Sequence, residues 1–300
     1  MKLRRTMLYA PGNNPALLKD AHIYGSDAVM FDLEDAVSLA EKDAARLLVF
    51  HILRTVDMGQ TERVVRINGL DTKYGQEDIR ALVRARPDVI RIPKTKCAQT
   101  VHDVEELVEK GERSAGIAVG STKLMAALEG PTGVLNAPDI AVASQRLIGI
   151  ALGAEDYATS LATTRSKEGT ELYFARSMVV NAARSAGIYA LDTVFADLED
   201  EDGFRKEVQL IKQLGFDGKS IISPRQIAIV HEEFSPTRRD IEHARRVIAA
   251  REEAGQKHSG VIALDGKMID KPIVDRAHRT LELARMSGFF PEEGECYGDK

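Results

Sequence analysis

Short apolar runs, each about a strand long, alternate along the chain with longer segments whose apolar positions recur at helical spacing. The runs fall at residues 6–10 (TMLYA), 27–35, 62–69, 88–94, 124–128 (LMAAL), 147–152 (LIGIAL), 189–194 and 218–224. Pro11-Gly12 closes the first, and Asn13/Asn14 before Pro15 opens a helix with an Asn cap and an early proline. Ser38 and Glu41 have capping-box spacing and predict a helix running to about residue 56. Further helices are expected around 101–112, after Pro131-Thr132, over 170–186 with Ala175, Met178, Val179 and Ala182 along one stripe, and over 204–214. In the second run, period-two alternation places Phe31 and Leu33 on one face and Met30, Asp32 and Glu34 on the other.

Eight strand-then-helix pairs are what a (β/α)8 TIM barrel requires, here over residues 1–234. In such a barrel Phe31 and Leu33 face the helices, and Met30, Asp32 and Glu34 face the interior. A two-domain doubly wound sheet is the weaker alternative, because nothing resembles a linker before about residue 235. Residues 235–300 form a C-terminal helical extension with a lid-like segment. It comprises a long helix over 236–255, an interruption at 256–259, an extended piece at 260–264, the turn Asp265-Gly266, the run GKMID and a last helix over 273–287. The final dozen residues are rich in Gly and Glu and are expected to fray.

Composition narrows the function classes. A net charge of −5 gives no electrostatic reason for a nucleic-acid or anionic-membrane partner. No apolar run approaches a membrane span, and the N-terminus lacks the apolar core of a signal peptide. Cys97 and Cys296 stand far apart with no Cys/His spacing, which fits a reducing, cytoplasmic setting and argues against structural zinc. Neither GxGxxG nor GxxxxGK[ST] occurs, so the strongest nucleotide-binding signals are missing.

The candidate chemistry gathers at strand ends, where parallel α/β folds bind ligands. Glu129 and Asp156 follow the fifth and sixth runs; alone, either acid reads as a cap, but two at equivalent ends can grip one hard divalent cation. With no histidine near either in sequence, oxygen ligation suits Mg²⁺ better than zinc or iron. Arg66 is a candidate clamp for a substrate carboxylate, or else an ion-pair partner of Asp32, Glu34 or Asp35, and both roles are compatible. Asp32, Glu34 and Asp35 are expected to hold the ion's waters or orient the clamp; Asp192 is read the same way, with a structural role as its alternative. Lys94 raises Schiff-base aldolase chemistry, which needs a desolvated lysine of lowered pKa, but a phosphate contact or a solvated charge suits its PKTK setting better. By pattern alone, Asp270 caps the last helix ahead of Pro272.

The segments AVMFDLEDAVS, VVRINGL, RIPKTK, LMAALEG, GAEDY, GKSIISPRQI and GKMID, in this order, resemble the β subunits of bacterial citrate lyase, among the CitE-like acyl-CoA lyases of the HpcH/HpaI aldolase superfamily. The resemblance runs from about residue 4 to 284 and implies a barrel, a Mg²⁺ ion and cleavage of a citryl thioester, on acyl carrier protein or CoA, to oxaloacetate and an acetyl thioester. It implies Glu129 and Asp156 as metal ligands and Arg66 as the carboxylate-binding arginine, with Gly130 and Pro131 beside Glu129 in the substrate site. Asp270 becomes the catalytic aspartate that the C-terminal segment lends to a neighbouring subunit, within a homo-oligomer (trimer or hexamer) associated with citrate lyase alpha and gamma subunits. Two alternatives stay open: a free-standing malyl-CoA or methylmalyl-CoA lyase or malate synthase-type enzyme, and a non-catalytic scaffold that docks the acyl carrier.

Overall fold

The computed structural model describes residues 2–256, 263–264 and 267–288. Eight parallel strands close into a barrel in sequence order: β1 Thr6–Pro11, β2 Ala28–Asp32, β3 Glu62–Arg66, β4 Val89–Ile92, β5 Lys123–Leu128, β6 Leu147–Leu152, β7 Tyr189–Asp192 and β8 Gly218–Ile221. β8 pairs back onto β1 through Thr6 and Lys219. Helices follow the strands: α1 Pro15–Asp20, α2 Lys42–Thr55, α3 Gly75–Leu82, α4 Ala98–Ser114, α5 Pro131–Leu135, α6 Ala137–Ala141, α7 Ala154–Ser160, α8 Tyr173–Ala186, α9 Glu201–Leu214 and α10 Arg225–Phe234. The expected (β/α)8 architecture is the one observed.

Strand alternation sorts the side chains. Met7, Ala28, Met30, Val64, Val89, Met125, Ala151 and Leu191 form an apolar plug inside the barrel. Two residues further along their strands the same face becomes polar, with Asp32 after Met30, Arg66 after Val64 and Arg91 after Val89. The plug supplies burial while the layer above it supplies chemistry.

Several strands are shorter than their apolar runs suggest. β2 stops at Asp32 because that carboxylate turns back to accept from the backbone N–H groups of Glu34 (2.9 Å) and Ala36 (3.3 Å). Asn14 caps α1 as expected, accepting from Leu17 N–H at 3.2 Å. Ser38 does not cap α2: its hydroxyl donates to the Glu41 carboxylate at 2.8 Å, and the helix begins at Lys42. The single helix expected after Pro131 is two short ones, since Pro138 has no N–H to continue the ladder of α5. The α7 helix was not expected, although Gly153 before it and two acids in its first turn are start signals.

The chain divides into two compact units, one spanning Arg4–His231 and the other Glu232–Lys300 with Met1–Leu3. In the second, α11 (Arg238–Gln256) and α12 (Lys271–Met286) pack through Ala244, Val247, Ile269 and Ala277. A small antiparallel pair joins β9 (Ala263–Leu264) and β10 (Lys267–Met268). Of the interruption expected at 256–259, Gln256 closes α11, whereas residues 257–259, the start of the extended piece at 260–262, the turn Asp265-Gly266 and the tail from 289 lie outside the described residues. Among the described residues no helix is long and apolar enough to cross a membrane.

Candidate active site

Glu129 follows the last residue of β5 and is buried, 6% exposed. The loop after β6 presses onto it: a Cβ built on Gly153 would stand 2.6 Å from Glu129 Cγ, so only glycine leaves the room. Asp156 is not at a strand end, as its position after the sixth run suggested; it sits on the first turn of α7 and is about half exposed. The turn brings it to the same two cavities that Glu129 lines. Burial, then the charge of Glu34, pushes Glu129 up to about 7; Asp156 adds to the rise, and the charges of Arg66 and Arg91 only partly offset it. Two acids thus meet at the barrel rim with more negative charge than their neighbours neutralise.

On the opposite wall Arg66 is held by acids. Its Nε and Nη2 donate to the two oxygens of Asp32, both at 2.7 Å, and Nη1 lies 2.9 Å from Glu34 Oε2. The ion-pair reading of Arg66 is therefore present, and its Nε–Nη2 edge is taken. Its guanidinium also lies over the Tyr9 ring, 5.1 Å from the centroid. Lys94, with a left-handed backbone at φ 45°, donates to Glu34 at 2.7 Å and Asp35 at 3.1 Å. Burial lowers the Lys94 pKa, but hydrogen bonds and charge from Glu34 and Asp35 outweigh it and raise it. That is the wrong direction for a Schiff-base nucleophile.

Asp192 does not join this group. Leu191 points into the barrel, so its neighbour points out, where Arg176 takes both carboxylate oxygens of Asp192 at 2.9–3.0 Å. Its structural alternative is the arrangement found. Asp270, in the second unit, caps α12, accepting from Ile273 N–H at 3.2 Å.

A cavity of about 840 Å³ is lined by Glu34, Asp35, Lys94, Glu129, Gly130, Pro131 and Asp156. A second, of about 440 Å³, shares Asp35, Glu129 and Asp156 with it and adds Tyr9, Asp32, Arg66, Arg91 and Ser220. Both open at the carboxyl ends of the strands. A larger cleft of about 1290 Å³, among Arg54, Arg63, Arg80, Arg84, Arg86 and Lys110, lies at the amino ends and contains no acid. Size does not mark the site here; convergent carboxylates do.

A family model described as HpcH/HpaI aldolase/citrate lyase matches residues 5–224. The chain belongs to the HpcH/HpaI aldolase/citrate lyase family. It is 56% identical over 293 residues to citrate lyase subunit beta of Leuconostoc mesenteroides subsp. cremoris, covering 98% of this chain and 97% of that one. Among solved structures it is similar to the protein CitE of Mycobacterium tuberculosis in complex with magnesium, acetoacetate and coenzyme A, with TM-score 0.77, 30% identity and coverage of 94% and 98%. It is also similar to the citrate lyase beta subunit of M. tuberculosis complexed with oxaloacetate and magnesium, with TM-score 0.66, 29% identity and coverage of 78% and 98%.

The donor set in this family member suits a hard divalent cation. Glu129 and Asp156 offer oxygen only, and both line the same two cavities. Among the described residues no group of three or more His, Cys, Asp or Glu side chains could hold an ion. Two carboxylates, with the remaining positions left to water and substrate oxygens, match the habits of Mg²⁺ rather than zinc. Arg91 was missed by the motif reading. The parity of VIRI in β4, which puts Arg91 on the interior face with Val89, was the available signal.

Proposed function

We propose that this chain is a Mg²⁺-dependent carbon–carbon lyase that cleaves a citryl thioester to oxaloacetate and an acetyl thioester. The observation that carries the reading is that Glu129 and Asp156 line the same two cavities at the rim of a barrel whose sequence is 56% identical to a citrate lyase subunit beta. Glu129 and Asp156 would hold the ion. Bound there, Mg²⁺ would lower the pKa of the substrate's tertiary hydroxyl as a Lewis acid.

The protein's own groups orient the rest. Asp32 and Glu34 fix Arg66 at the cavity wall, where its remaining N–H donors face a substrate carboxylate. Lys94 balances Glu34 and Asp35, and Gly130 and Pro131 wall the substrate beside Glu129. When the hydroxyl proton passes to solvent, the alkoxide closes to the ketone of oxaloacetate, the carbon–carbon bond breaks, and its electron pair passes to the thioester enolate. In this reading Asp270, supplied by a neighbouring subunit of a homo-oligomer, gives that carbon a proton as general acid. Acyl carrier protein or CoA carries the acyl group, citrate lyase alpha and gamma subunits are the partners, and the setting is the cytoplasm, where the exposed Cys97 thiol stays reduced.

The test is citryl-CoA cleavage by the purified chain, followed through oxaloacetate release, with EDTA and then with Mg²⁺ restored. Activity should vanish and return. Cleavage that survives EDTA would sink the metal assignment. Asp270→Asn should lower turnover roughly 100-fold or more while Mg²⁺ affinity stays unchanged. Unaltered turnover would remove Asp270 from the chemistry.

A further inference from the structure

The barrel's buried arginines mostly meet acids. Arg4 pairs with Glu62, Arg66 with Asp32, Arg146 with Glu112 and Arg176 with Asp192. Arg91 is the exception among the described buried arginines: it is drawn to Glu129 through space but has no ion pair with a carboxylate. It is 2% exposed, and its side chain crosses the barrel from β4 to the opposite wall. There Nη1 finds only neutral partners at long range, Ser220 Oγ at 3.3 Å and Met7 Sδ at 3.6 Å, and Nε has no hydrogen-bond partner. A cation buried this way costs stability, and an apolar residue of similar volume would fill the space better. The side chain lines the smaller cavity together with Glu129, Asp156 and Arg66.

Substrate chemistry supplies the missing anion. A citryl thioester keeps two free carboxylates, one on the hydroxyl-bearing carbon and one on the neighbouring methylene arm. A malyl thioester keeps only the first. Arg66 has already given its Nε–Nη2 edge to Asp32 and faces Glu34 with Nη1, so it is poorly equipped to grip both. We infer that Arg91 binds the methylene-arm carboxylate and selects substrates that carry it over those with a single carboxylate. The inference rests on the citryl-thioester reading and names the group that sets its specificity.

The experiment compares wild type, Arg91→Met and Arg91→Lys in Mg²⁺ with citryl-CoA as substrate. Oxaloacetate, with two carboxylates, and pyruvate, with one, serve as competing inhibitors. Arg91→Met should lower kcat/KM for citryl-CoA, mainly through KM, and weaken oxaloacetate inhibition roughly 30-fold or more, while pyruvate inhibition changes less than about threefold. Arg91→Lys keeps the charge without the fork and should fall between. The melting temperature of Arg91→Met should hold or rise, because an unpaired buried charge is gone. Equal losses for both inhibitors, or none, would overturn the assignment. A melting temperature that drops in both variants would make Arg91 structural and overturn it too. Wild type that does not cleave citryl-CoA would instead refute the parent reading, and the two failures are distinct.

Discussion

Two clusters of buried charge, on opposite sides of the same sheet, behave differently. Outside the barrel, between β7, β8 and the helices α8 and α9, Arg176 bonds Asp192 and Glu207, and Lys219 reaches Glu207 at 2.6 Å and Asp192 at 3.8 Å. Every charge there has an opposite. Burial would raise Glu207, but Lys219 and Arg176 hold it well below the usual carboxylate range. Inside the rim, Glu129 is buried to a similar degree and is driven the other way, up to about 7. One residue type, twice buried, shows opposite shifts because one cluster is closed by protein and the other is left open. The closed cluster ties strands to helices. In the open one, Glu129 and Arg91 attract each other without an ion pair, which leaves room for the proposed ion and substrate anion.

The sharpest way to break this contrast is to remove one open-cluster acid. Glu129→Gln keeps the shape and removes a charge proposed to hold the metal, so citryl-CoA cleavage should fall about a thousandfold or more, a barrier increase near 4 kcal/mol. Binding calorimetry should show the loss of Mg²⁺ affinity directly. Folding should survive, since a neutral group at that position relieves the charge the site carries without its ion. A variant that cleaves normally would make the two clusters equivalent.

The same substitution in the closed cluster should do the reverse. Asp192→Asn leaves Arg176 and Lys219 short of an anion, and breaking a buried pair in this way costs on the order of 3–5 kcal/mol. Denaturant melts should register that loss, while kcat/KM per folded molecule stays within about twofold, the usual scatter for a group outside the site. If Asp192→Asn instead loses activity at unchanged stability, Asp192 belongs with the catalytic acids after all.

The raised acid also leaves a pH signature. Glu129 moves from an ordinary 4.5 to about 7, so between those values the folded protein keeps a proton that the unfolded chain has released. Its contribution is complete below the unfolded value and is lost as pH rises through about 7, an effect of roughly 3 kcal/mol. In EDTA, the stability of wild type relative to Glu129→Gln should fall between about pH 5 and pH 8. A flat difference would mean that Glu129 is not crowded by charge as the geometry indicates.

Much of this was legible in the sequence. Eight apolar runs, each followed by a helical segment, specify the barrel, because each strand's burial depends on its own alternation. The inward face of the second run, Met30 and Asp32, was readable for the same reason. Asp192 was misplaced because its strand was read without parity; one residue's offset from Leu191 turns it from the cavity to the helices. Asp156 was placed at a strand end because α7 is short and carries no long apolar stripe. The cavities that Asp156 and Glu129 share, and the lack of an ion pair at Arg91, depend on where neighbouring strands put their side chains. No local pattern encodes that.

The smallest expected effect sits where the two kinds of cluster meet. Lys94 is half exposed, and its ammonium holds Glu34 at 2.7 Å and Asp35 at 3.1 Å, with Asp156 at 4.0 Å. Those acids raise its pKa, so it remains protonated and cannot attack a carbonyl. Lys94→Arg preserves the charge and the reach to Glu34, and turnover should drop by no more than about tenfold, close to 1.4 kcal/mol. Borohydride added during turnover should leave the mass of the chain unchanged. A stable adduct on Lys94 would move the reaction from metal-assisted cleavage to imine chemistry, and the open acids would then need a different explanation from the one given by their contrast with the closed cluster.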